Sequence, residues 1–145
     1  MQGPDFRVRV FEDGHLAEVF GISREPRSVS DDEKAAYEAF VQEYFPENQR
    51  GPYLSTLDHP QVPAKLPGYS RVLAAAGGRI WARIYAVDPT SSEAWEVFDP
   101  NGLWLGGVTA PDGFELMSVG ADRMVGVWRG ELGVEYVQVF RLHRS

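Results

Sequence analysis

From residue 6 the chain alternates apolar and polar positions: Phe6, Val8 and Val10 stand against Arg7 and Arg9, an Asp13-Gly14 pair follows, and Leu16 and Val19 resume the pattern. Alternation of period two marks a strand with one buried face, and Asp-Gly between two such runs marks a hairpin. Strands are predicted at 6–12 and 15–21. The period then lengthens. Ser30 is placed to cap a helix starting at residue 31, and Glu33 completes a capping box. Asp31 and Asp32 fall in the first turn, where the helix dipole favours negative charge. Ala36, Tyr37, Phe40, Val41 and Tyr44 recur at spacings of three and four, giving one apolar stripe, and Pro46 stops the helix near Phe45.

From 46 to 67 the prolines at 46, 52, 60, 63 and 67 sit among polar residues, which predicts an extended, irregular connection with neither strand nor helix. Beyond residue 69, β-branched and aromatic runs are separated by Gly, Pro and Asp every eight to ten residues, the spacing of an all-β protein. Seven strands are predicted, near SRVLAAA, RIWARIYA, AWEVFD, LWLGGVTA, ELMSVGA, RMVGVWRG and EYVQVFRL.

The chain also repeats itself. VRVFEDGHLAEVF, WEVFDPNGLWLGGV and YVQVFRL share a strand ending in Val-Phe, and the first two continue through a Gly turn into a second strand. Phe11, Phe98 and Phe140 are separated by 87 and 42 residues, and a period of about 40 to 45 with four strands per unit is that of propeller blades. The expected fold is mainly β: antiparallel, four-stranded, propeller-like blades forming an incomplete propeller, with one helix-containing insertion. The expected organisation is a hairpin of the two outer strands of one blade at 1–22, an insertion at 23–68, a complete blade at 69–110, and a blade lacking its outer strand at 111–145. A truncated or split propeller, an oligomer completing blades between chains, and a compact non-propeller β-fold all fit this strand count. On the pattern from Val97 to Leu142 the chain resembles the C-terminal part of bacterial six-bladed β-propeller proteins of the NHL-like kind, a likeness that runs from Phe6 to Leu142. That resemblance implies an extracytoplasmic parent protein and supplies no catalytic motif.

Composition narrows the function. The chain has 145 residues, one domain's worth, with 43% hydrophobic and 12% aromatic residues, which excludes a disordered or low-complexity polymer. Its formal net charge of −7 disfavours nucleic acid and anionic lipid as partners. Without cysteine there is no thiolate chemistry or Cys-built metal site. No apolar stretch is long enough to span a membrane, and residues 1–14 lack the pattern of a signal peptide.

The turns AGG (76–78), DPNG (99–102) and 120–122 fall on one rim of the predicted sheets, whereas the insertion and the loops VDPTSSE and GELG fall on the other. Longer loops on a rigid scaffold are where binding concentrates. The candidate site residues are therefore Arg50, Tyr53, Asp58, His59, Asp88 and Glu131. Asp58-His59 offers a base or metal ligand, but no second histidine lies near it, and His15 and His143 read as solvated. Phosphate-loop and nucleophile-elbow motifs are absent, and no metal or cofactor is expected. Trp81, Trp95, Trp104 and Trp128 read as filling between sheets.

The predicted function is a non-catalytic binding or scaffold module whose loop rim contacts a protein or small ligand. Unpaired blade edges offer a further route to self-association. The alternative is a piece of a propeller enzyme, a metal-dependent hydrolase or lyase, with its ligands in other blades. The inner strands then offer Ser70, Arg71, Glu115 and Ser118.

Overall fold

The computed structural model describes residues 6–56 and 65–143. β1 (Arg7–Glu12) and β2 (His15–Gly21) form the first hairpin. Its turn residues Asp13 and Gly14 both have left-handed backbones, φ 49° and 81°, the turn whose twist matches that of the flanking strands. α1 (Asp31–Tyr44) starts as its capping box demands: Ser30 Oγ accepts the Glu33 amide at 3.2 Å, and Glu33 Oε2 accepts the Ser30 amide at 3.0 Å. Glu33 also accepts a 2.6 Å hydrogen bond from Arg27, which holds its carboxyl below the usual range.

The expected irregular connection is in part a helix, α2 (Glu47–Ser55), with Pro46 as its N-cap and Pro52 inside it. Tertiary contacts outweigh the proline penalty. Arg50 donates through Nε to the Phe45 carbonyl at 2.9 Å and through Nη2 to that of Gln42 at 2.6 Å, satisfying acceptors left over at the end of α1. The Tyr53 ring stacks on Phe45 with centroids 4.2 Å apart. At the far end the Ser55 and Thr56 hydroxyls both donate to the Pro52 carbonyl. Val41 on α1 is fully buried.

All seven later strands form: β3 (Tyr69–Ala74), β4 (Ile80–Ile84), β5 (Ala94–Phe98), β6 (Trp104–Thr109), β7 (Phe114–Val119), β8 (Arg123–Arg129) and β9 (Glu135–Arg141). The fold is mainly β. It comprises three antiparallel sheets, β1-β2, β3-β4-β5-β6 and β7-β8-β9, none of which closes on itself. The four-stranded sheet lies in the middle. One face, with Ala82 and Phe98, packs on Val8, Phe20 and Ile22 of the hairpin side. The opposite face, with Trp81, Trp95 and Val97, packs on Phe114, Leu116, Val119 and Met124 of the three-stranded sheet.

The sequence repeat is also a structural one. In β1-β2 the register slips between Val10 and Phe11, which pairs with Leu16, and in β5-β6 it slips between Val97 and Phe98, which pairs with Trp104. Of the tryptophans, Trp81 and Trp95 fill the core as expected. Trp128 is half-buried against Tyr136. Trp104 is not core filling. It lies on β6, the outermost strand of its sheet, and is half exposed.

Candidate functional site

Arg50 and Tyr53 are brought together, and both serve the junction of α1 and α2 described above. Asp88 closes its own loop, its Oδ1 accepting from the Thr90 amide at 2.8 Å and hydroxyl at 2.6 Å. Ser92 ties the same loop to Asp112. Glu131 is exposed in the loop between β8 and β9. No described hydrogen bond or ion pair links Asp88, Glu131 and the helical pair, and Asp58 and His59 lie outside the described residues. Among the described residues no three His, Asp or Glu side chains gather as donors for a metal ion.

Two buried carboxylates tie the sheets together. Glu96 on β5 accepts from Arg24 at 2.7 Å through Oε1 and from the Tyr69 hydroxyl at 2.5 Å through Oε2. Arg24 also lies over the Phe6 ring, 4.9 Å from its centroid. Burial, and next the bond to Glu96, push the Tyr69 hydroxyl well above its usual titration range. On the other face Glu93 accepts from the Trp95 indole at 3.0 Å and the Leu116 amide at 3.1 Å, and pairs with Arg83 at 3.2 Å. Arg71 captures the Leu116 carbonyl at 2.8 Å. Every one of these groups is satisfied within the chain, so they serve as clasps between sheets.

The concave surface lies elsewhere. A cavity of about 430 Å³ opens along β6, at the edge of the four-stranded sheet. Trp81, Val97, Leu105 and Val108 give it apolar walls, with Gly106 and Gly107 among them and Leu142 and His143 beyond the end of β9. A Cβ on Gly106 would meet nothing within 4 Å, so this double glycine leaves the strand surface bare. A second cavity of about 460 Å³ adjoins it at the short-turn rim, lined by Ala76, Gly77, Asp99 and Pro100. The two share Arg79 and Leu105 as walls.

Arg79 is a charged group of this groove that the described residues leave without a side-chain partner. It is half-buried, and no hydrogen bond or ion pair engages its guanidinium among the described residues. The other half-buried arginines on the sheets, Arg71 and Arg83, are both held by partners. Asp99 beside it is engaged in its own turn, accepting the amides of Asn101 and Leu103, each at 2.8 Å. Sequence reasoning missed this groove. Its one local signal was Gly106-Gly107 inside a strand, where glycine marks open space or a close approach.

Comparison with protein-family models, curated proteins and solved structures finds no significant match. The site is thus defined by its geometry alone.

Proposed function

We propose that the protein is a non-catalytic binding module, an incomplete propeller of three blade-like sheets of the NHL-like kind. Its groove between β6 and β9 takes up an extended peptide bearing an acidic group. The observation that carries this reading is Arg79, a half-buried cation with no side-chain partner among the described residues, set where two cavities adjoin. A guanidinium in such a setting gains most from a carboxylate, which it binds through two parallel hydrogen bonds. β9 is an edge strand of its sheet, and Leu142 and His143 just beyond its end line the groove. An added strand would pair with β9 while its alternate side chains lie on Trp81, Leu105 and Val108. The resemblance to propellers supports the same reading, since the position taken is that of the fourth strand the β7-β8-β9 sheet lacks.

The test is a titration of isotope-labelled protein with short peptides that alternate valine and glutamate, read by amide and indole resonances. Shifts are expected at Trp81, Gly106, Gly107 and Leu142. Arg79→Gln is expected to weaken binding by about tenfold to a hundredfold, the worth of one charge-assisted hydrogen bond. Equal binding by the variant, the absence of any shift, or shifts confined to the loops carrying Asp88 and Glu131 would overturn it.

A further inference from the structure

The three copies of the Val-Phe strand point their side chains in one consistent sense. Phe98 turns toward the hairpin, its ring 5.2 Å from that of Phe20, while Val97 turns toward the three-stranded sheet. Phe140 turns back toward the central sheet, against Phe114 at 5.1 Å, so its neighbour Val139 turns away to the outside. In the hairpin Phe11 occupies the place of Phe98, so it too turns away from the central sheet. In the Val-Phe strands of the central and three-stranded sheets the phenylalanine thus faces the sheet before it and the valine the opposite side.

Two of these faces are not packed against another sheet among the described residues. On the three-stranded sheet Val125 pairs with Val139 and Val127 with Val137 across β8 and β9, and Val137 and Val139 are 75% and 57% exposed. On the hairpin Phe11 pairs with Leu16, Val19 beside them pairs with the exposed Arg9, and Phe11 is 60% exposed. These two surfaces are equivalent in position to the faces that meet twice inside the chain, hairpin to central sheet and central sheet to three-stranded sheet. They continue that stack at its two ends. Apolar clusters of this kind on a folded surface mark contact sites.

We propose that copies of this chain associate head to tail, the Val125, Val127, Val137 and Val139 face of one copy packing on the Phe11, Leu16 and Val19 face of the next. Such a contact joins two different surfaces, so it either closes into a ring or extends as a filament. It rests on residues other than those of the groove and stands independently of the peptide reading.

The experiment is size-exclusion chromatography with light scattering on the full chain over a concentration series. It is run on wild type, Phe11→Asp, Val139→Asp and an equimolar mixture of the two variants, with circular dichroism to confirm that each is folded. Both side chains are exposed, and Val137→Asp stands in if Val139→Asp fails that check. Wild type is expected at multiples of the 16.2 kDa chain mass, and each variant alone at one chain, its association weakened at least tenfold. The mixture is expected to recover a 1:1 heterodimer, because the intact valine face of one variant meets the intact phenylalanine face of the other. A monomeric wild type at every concentration, a variant as large as wild type, or a mixture that stays monomeric would each overturn the proposal.

Discussion

The β1-β2 and β5-β6 hairpins have the same grammar and opposite surroundings. Both run Val-Phe into a glycine turn with a register slip at the phenylalanine. Yet Phe98 is fully buried and Phe11 largely exposed. At the preceding alternate position Glu96 is buried in a clasp with Arg24 and Tyr69, and its counterpart Arg9 lies exposed. The closing glycines share φ 81°, but a Cβ on Gly102 would come within 2.6 Å of Phe20, whereas one on Gly14 would meet nothing. Similar strand pairing therefore carries different energies, because β5 is covered on both faces and β1 on one.

The largest effect tests that statement directly. Phe98→Ala should cost about 3–5 kcal/mol of stability, the usual toll for emptying a buried aromatic site. Phe11→Ala should fall within about 0.5 kcal/mol at dilutions where the chain is single. Urea unfolding of the two variants side by side makes the measurement. A loss at Phe11 that grows with protein concentration would show its face to be covered by another chain.

Much of this architecture was legible beforehand for local reasons. The Asp13-Gly14 turn, the Ser30 and Glu33 capping box and the strand runs are each encoded within a few residues, and each formed. α2 was illegible because its support comes from outside its own segment: Arg50 finds acceptors on α1, and Tyr53 finds Phe45. The groove was illegible for a similar reason. It opens along β6 at the edge of the four-stranded sheet, with Leu142 and His143 lining it from beyond β9, and no short motif around Arg79 encodes that meeting. The long loops drew attention as binding loops, yet Asp88 spends its carboxylate on Thr90.

The turn glycines sharpen the comparison next. Gly102→Ala combines left-handed backbone strain with a clash against Phe20, together about 2–4 kcal/mol. Gly14→Ala pays the strain alone, about 1–2 kcal/mol. Equal costs would mean that the hairpin does not press on the turn of the central sheet. Thermal unfolding of both variants decides it.

A smaller difference is expected at the polar pair. Glu96→Ala removes the acceptor of both Arg24 and Tyr69 and should cost about 2 kcal/mol, discounted because Arg24 is 44% exposed and keeps part of its water. Arg9→Ala should be near neutral. Amide exchange locates the damage, with β1-β2 expected to lose protection more than β7-β9.

The same clasp sets the mildest test, a dependence on pH. Tyr69 titrates far higher in the folded chain than its ordinary value of about 10, because burial, and then the Glu96 carboxylate, disfavour its phenolate. The folded chain therefore holds this proton more tightly than the unfolded one. The contribution is fully present below about pH 10, and is lost progressively as pH rises above it, where the unfolded chain releases the proton and the folded one does not. Tyr69→Phe should remove that alkaline decline, while costing a modest constant amount through the acceptor left on Glu96. Urea unfolding between about pH 8 and about pH 11 compares the two. The hairpin should loosen from the central sheet before the three-stranded sheet does, since Glu93 holds that side without a tyrosine. A wild-type curve parallel to that of Tyr69→Phe throughout would place the alkaline sensitivity outside the clasp.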